Sequence, residues 1–192
     1  MQRKSTFFSG SVIASVFFLL VGIGTSAYAQ KKITIQATAR GTSTQLGRVL
    51  PVKIIINQLS SPEDRNVLIE AFERSGHQGV LDALTRMTQK GRFSLEGRAG
   101  NDVKYIWELP SSDGRRLRLL TDRNLAFAEI SESTRSSEYS IGAVELTLTP
   151  DGKGSGTLLP ACKLKVNKQK QLEVEAYQNP WQLTNFIVTY GD

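Results

Sequence analysis

The 192-residue chain holds one cysteine and one histidine. Cys162 alone cannot close an intramolecular disulfide, and together with His77 it falls short of the ligand set of a structural zinc site. Zinc-finger, haem and iron–sulfur chemistry is therefore not expected, and neither is a metal or a cofactor. A Ser–His–Asp or Cys–His arrangement would have to take His77 as its base. His77 sits between Gly76 and Gly79, in what reads as a turn between helices, where an imidazole caps a helix end or faces water. Carboxylates are missing from two long stretches. Gln30 to Pro62 carries Lys31, Lys32, Arg40, Arg48 and Lys53, and Gly152 to Leu172 carries Lys153, Lys163, Lys165, Lys168 and Lys170. The length and a 40% hydrophobic content allow one core, with no room for a separate catalytic domain.

The one long apolar run lies near the start of the chain. Arg3 and Lys4 precede Val12–Gly24, and Ala27-Tyr28-Ala29 puts small residues at the −3 and −1 positions before Gln30. A positive start, a short apolar middle and an A-x-A site make a secretory signal. Val12–Gly24 would reach about 20 Å as a helix, short of the roughly 20 apolar residues of a membrane span. The sequence predicts a cleaved signal over residues 1–29 and one domain over 30–192. That domain is expected to be periplasmic or extracellular and monomeric, without a transmembrane segment. Cleavage leaves 22 basic against 18 acidic residues and lowers the net charge from +6 to +4. If the two carboxylate-free stretches lie side by side, they form a basic face suited to an anionic envelope component. The rival reading is a set of lysines that guard strand edges. No nucleic-acid module is recognisable, so no nucleic-acid partner is expected.

Ile33, Ile35, Ala37 and Ala39 alternate with polar neighbours, a period of two that predicts a half-buried strand over Lys32–Arg40. Val49–Gln58 reads as a second strand with Pro51 near its start. At Ser61 the period changes. Ser61-Pro62-Glu63-Asp64 supplies an N-cap hydroxyl, a proline for the first turn and two carboxylates at the positive end of the helix dipole. Val67, Leu68, Ala71 and Phe72 form an apolar stripe that stops at Gly76, and Val80, Leu81, Leu84 and Met87 form another over Gln78–Gln89. Two short helices joined at Gly76-His77 are expected, resting on the sheet as a helical hairpin.

After Gly91 the period of two returns. Val103, Tyr105, Trp107 and Leu109 share one parity, opposite Lys104, Ile106 and Glu108. Pro110–Gly114 then turns the chain toward Leu117 and Leu119, which alternate with Arg116 and Arg118. A short strand over Ala126–Ile130, a serine-rich loop over Ser131–Ser140 and a strand around Val144–Leu148 follow. Leu158–Val166 and Leu172–Tyr177 read as the lysine-faced and glutamate-faced halves of one hairpin. Trp181–Tyr190 is a last strand or a C-terminal strap. The fold class is α+β, a mostly antiparallel β-sheet of about nine strands, enough for a partly closed barrel, with closure itself left open by the sequence. The two-helix hairpin is inserted after the second strand.

Candidate sites are few. Cys162 alternates with Leu164 and Val166 and reads as a small core residue. Gly152-Lys153-Gly154-Ser155-Gly156-Thr157 lacks the spacing of a phosphate loop and lies between strands, so it reads as a hairpin turn. Arg115, Arg116 and Arg118, with Arg123 beyond, form the densest cationic cluster and suggest an anion clamp. Tyr105, Trp107, Tyr177, Trp181, Phe186 and Tyr190 are candidate linings for a carbohydrate or lipid cavity. Glu96, Glu108, Glu129 and Glu132 offer acid–base groups, but no pair stands out. From these, Tyr105, Trp107, Arg116, Arg118 and Trp181 form the candidate ligand-binding set, with no catalytic and no metal-ligating residue.

The succession Gly41-Thr42-Ser43-Thr44-Gln45-Leu46-Gly47, Ser61-Pro62-Glu63-Asp64-Arg65 and Asn179-Pro180-Trp181-Gln182-Leu183 resembles a set of small exported bacterial proteins of uncharacterised activity. The resemblance implies one exported domain and brings no catalytic residue. Three functions follow from the sequence. The first is an exported, non-enzymatic binding or envelope-associated domain. The second is a carrier that holds an apolar or amphiphilic small molecule in an elongated cavity between sheet and helices. The third, least supported, is a hydrolase using carboxylates or His77.

Overall fold

The computed structural model describes residues 31–112, 114–125, 139–177 and 179–191. The expected signal over 1–29, the short strand over Ala126–Ile130, Glu129, Glu132 and most of the serine-rich loop lie outside these residues. Among the described residues, nine strands and one α-helix follow in the order β1 (Ile33–Arg40), β2 (Val49–Ile56), α1 (Pro62–Arg86), β3 (Gly91–Leu95), β4 (Asn101–Leu109), β5 (Arg115–Thr121), β6 (Ile141–Leu148), β7 (Gly154–Val166), β8 (Leu172–Ala176) and β9 (Trp181–Tyr190), with one 3-10 turn at Ser43–Gln45 between β1 and β2. Every pairing is antiparallel. β1 to β7 pair in sequence, and β9 joins β7 back to β1, so eight strands close a barrel and β8 hangs outside on the distal half of β7.

The alternation that predicts the strands also fills the barrel. Ile33, Ile35, Ala37 and Ala39 of β1, Val52, Ile54 and Ile56 of β2, and Trp181 and Leu183 of β9 are all buried in one interior cluster. An eight-stranded barrel is about wide enough for its own side chains. Closure by β9 uses a bulge in which Asn185 and Phe186 stand opposite the single residue Ala37. Asn185 takes φ +55°, a left-handed conformation that asparagine tolerates better than most residues. β3 and β4 share only three residue pairs, as do β7 and β9. Beyond the β3 pairs, Ser60 extends the bonding of β4: its N–H donates to the Ile106 carbonyl at 2.8 Å, and its hydroxyl accepts from the Ile106 N–H at 3.0 Å.

A second cluster lies on the outside of the barrel. Tyr105, Leu120 and Ala143 face outward from β4, β5 and β6 and are covered by Leu68, Ile69, Val80 and Leu84 of α1 and by Cys162, Leu164 and Leu172 of the β7–β8 hairpin. β7 supplies both layers, because its first half pairs with β6 and β9 and its last five residues pair with β8. Lys163 faces Glu175 and Lys165 faces Glu173 across that hairpin, the expected charge pattern.

The helix differs from the two-helix hairpin expected. One helical element spans Pro62–Arg86, interrupted only at Ser75 and Gly76, where Gly76 takes φ +59° and ψ −146°. No connecting loop separates two helices. The bend brings Gly79 against the first arm, so that a Cβ there would lie 2.2 Å from the Ala71 carbonyl oxygen. The start is built as its sequence dictates. The Ser61 hydroxyl accepts from the Asp64 N–H at 3.2 Å, and the Asp64 carboxylate accepts from the Ser61 N–H at 2.9 Å. The buried stripe also shifts by a residue, since Ile69 is covered and Val67 is 46% exposed. Among the described residues no helix is long and apolar enough to cross a membrane.

Candidate functional site

A bulge in β4 decides which side chains meet at the barrel surface. Val103 pairs with Thr121 and Tyr105 with Leu120, so two steps along β4 match one along β5, with Lys104 as the extra residue. Val103 and Ile106 therefore point into the barrel, while Tyr105 joins the outer cluster and Trp107 packs against it. The single parity expected for Val103, Tyr105 and Trp107 is thus broken at Lys104. Bulges re-aim side chains in this way. Without the extra residue, the two aromatics would share the parity of Val103 and compete for space in a barrel that is already full.

Turned outward, Tyr105 and Trp107 stack with rings 8° from parallel and centroids 6.1 Å apart. They line an open recess of about 440 Å³ where three elements meet. The β4–β5 face contributes Leu109, Pro110, Arg116 and Arg118, the start of α1 contributes Arg65, and the edge of β8 contributes Gln171, Leu172 and Glu173. Four of the five candidate ligand-binding residues, Tyr105, Trp107, Arg116 and Arg118, are brought together here. Trp181 is not among them, because it is 1% exposed and belongs to the barrel interior. An aromatic at the start of a closing strand is core, and its parity alone does not distinguish core from cavity lining.

The expected anion clamp already holds an internal carboxylate. Arg118 donates to Glu145 Oε1 through Nε at 2.8 Å and Nη2 at 2.6 Å, and Arg116 donates to Oε2 at 2.8 Å. The third Arg118 group, Nη1, donates to the Leu172 carbonyl at 2.5 Å and ties β8 to the barrel wall. Burial pushes the Glu145 carboxyl upward, but the hydrogen bonds and charges of Arg116 and Arg118 outweigh it and hold the group below the usual carboxylate value. Arg115 pairs with Glu108, and Arg123 with Asp122. Arg65 is different. Its Nη2 donates to the Lys170 carbonyl at 2.6 Å and its guanidinium stands 5.8 Å over the Trp107 ring, with no carboxylate partner among the described residues.

Tyr105 is the second distinctive group. Its side chain is 1% exposed, and its hydroxyl has no hydrogen-bond partner among the described residues. Burial pushes that hydroxyl above its ordinary range, against the pull of Arg65 and Arg118.

The other candidates fall into structural positions. His77 accepts from the Leu164 N–H at Nδ1, 3.2 Å away, and places Nε2 3.1 Å from the Ser140 hydroxyl, so the imidazole docks the helix bend onto β7. Cys162 is fully buried, its thiol donates to the Ile141 carbonyl, and burial pushes it up to about 12. Asp151 and Lys153 lie in the β6–β7 turn. Of the second basic stretch, Lys153, Lys163, Lys165 and Lys170 sit beside Asp151, Glu175, Glu175 and Glu73, and β9 separates β1 from β7. Between sheet and helix lies the packed outer cluster, and an open recess lies at its margin. Among the described residues, no group of three His, Cys, Asp or Glu side chains could hold a metal ion.

Sequence reasoning passed over Arg65 and Glu145. Glu145 had a signal, since Arg116 and Arg118 at i and i+2 on one strand face call for a carboxylate on the neighbouring strand. Arg65 had none, because its place depends on how the helix lands on the barrel. No family model, no curated protein and no solved structure matches the chain.

Proposed function

We propose that the chain is an exported, non-enzymatic binding protein that holds a small amphiphilic molecule in the recess between α1, β8 and the β4–β5 face. The observation that carries this reading is Tyr105, a residue lining an open recess whose own hydroxyl is buried without a partner among the described residues. A buried hydroxyl left unpaired costs about 1–3 kcal/mol, a cost that an acceptor on a bound molecule offsets. The apolar surfaces of Trp107, Leu109 and Pro110 stand beside Arg65 in the same recess, a pairing of apolar wall and few polar groups that suits a small-molecule site. Export is supported by Arg3 and Lys4, the apolar run Val12–Gly24 and Ala27-Tyr28-Ala29.

The test is expression of the full precursor in an exporting bacterium, detergent-free purification, and comparison of native with denaturing mass spectra. A chain beginning at Gln30, and an extra mass kept in the native spectrum but lost on denaturation, are the expected results. An uncleaved chain retained in the cytoplasm removes export. A bare chain that also fails to enhance the fluorescence of N-phenyl-1-naphthylamine removes the binding function.

A further inference from the structure

Resting on that reading, we infer that the ligand is an amphiphilic monocarboxylate whose carboxylate meets Arg65 and the Tyr105 hydroxyl, with its apolar body against Trp107, Leu109 and Pro110. The recess is short of acceptors and rich in donors. Arg118 and one N–H of Arg116 are committed to Glu145 and the Leu172 carbonyl, and Glu173 already accepts from the Asn167 side chain at 2.8 Å. The donors that remain for a ligand include the Tyr105 O–H, the N–H groups of Arg65 beyond the one given to the Lys170 carbonyl, and those of Arg116 beyond the one given to Glu145. A guanidinium carries five donors in a planar fork, so Arg65 retains several. These remaining groups favour an anionic acceptor.

Charge selects the kind of anion. Arg65, Arg116 and Arg118 stand against Glu145 and Glu173 among the lining and clamped groups, which leaves one positive charge. A single carboxylate balances it, whereas a phosphate monoester at neutral pH brings about two negative charges and leaves the recess net negative. The volume of about 440 Å³ suits a molecule of modest size, ring or short chain.

Calorimetric titration of the mature chain with 2-naphthoate and decanoate tests ring and chain forms of the same chemistry. Neutral 2-naphthylmethanol and 2-naphthyl phosphate are the comparison probes. The expected result is one-to-one binding of at least one carboxylate, about tenfold or more tighter than either comparison probe. Arg65→Gln and Tyr105→Phe should each weaken carboxylate binding, Arg65→Gln by about tenfold, and should weaken the neutral alcohol less. Arg65 lies at the surface end of its helix, so its replacement tests the inference in a folded chain. If the alcohol binds as tightly as the carboxylates, or Arg65→Gln leaves their affinity unchanged, the carboxylate inference is overturned. Binding of the alcohol that is lost in Trp107→Leu would then still support the recess as a site. Tighter binding of the phosphate overturns the charge argument. If no probe binds, or Trp107→Leu changes nothing, the inference and the reading beneath it both fail.

Discussion

Tyr105 lines the recess and Glu145 clamps two of its arginines, and the two carry opposite kinds of stored energy. The Tyr105 hydroxyl is a buried group without a partner, so removing it should stabilise the ligand-free protein. Tyr105→Phe is expected to raise the stability in urea by about 1 kcal/mol, since the ring stays and the desolvated hydroxyl goes. A destabilised variant would show that the hydroxyl has a partner in solution. Glu145 is the reverse case, a partly buried carboxylate held by two arginines, with Arg118 and Glu145 side chains only 14% and 18% exposed. Its folded-state value lies below the ordinary one. The stability it contributes is therefore fully present above the ordinary carboxylate value and is lost as the pH falls through the folded one. Glu145→Gln should cost about 3 kcal/mol at pH 7, because two guanidinium groups lose their counter-charge. It should also flatten the loss of stability that the natural protein shows below about pH 5. Equal acid slopes in the two proteins, measured by urea unfolding, would assign that pH dependence elsewhere.

Among the elements, the helix shows what a pattern of side chains can and cannot say. Ser61-Pro62-Glu63-Asp64 announced the helix start because a cap is a local device, closed within four residues. Gly76 announced an interruption for the same reason, and its φ of +59° with ψ −146° is a conformation that side chains with a Cβ rarely adopt. Gly76→Ala should therefore cost about 1–3 kcal/mol although the space around it is open, a loss that thermal unfolding would register. An unchanged melting temperature would mean that the bend relaxes freely. The bulge at Lys104 was harder to see. Val103, Tyr105, Trp107 and Leu109 are all apolar at alternate positions, so they satisfy one continuous strand face even though that face changes sides between Val103 and Tyr105. The trace left in the sequence is Ile106, an apolar residue on the expected polar row that proves to be fully buried in the barrel interior. Aromatics useful at a surface and aromatics useful in a core obey the same alternation. Only the long-range register with β5 separates them, and a register slip of one residue reverses every face.

For the molecule as a whole, two clusters divide the labour. The barrel interior is sealed by β9, whose Trp181 and Leu183 pack with β1 and β2 side chains, whereas the recess opens at the margin of the outer cluster. Stability and ligand binding should therefore respond to different tryptophans. Trp181→Ala removes a large, fully buried side chain from a closed barrel and should cost about 3–5 kcal/mol. The surviving folded fraction should keep the ligand affinity of the natural protein, because Trp181 lines no part of the recess. Trp107→Leu should do the opposite, losing ligand while shifting the unfolding midpoint by less. Chemical unfolding of both variants, paired with titration of the same samples under native conditions, reads the two effects separately. If Trp181→Ala weakens binding as much as Trp107→Leu does, then the interior and the recess are one cooperative site and the ligand reaches into the barrel. A barrel of eight strands closed by its own side chains leaves little room for that outcome, so the separation of the two tryptophans is the sharpest consequence of the way this chain is folded.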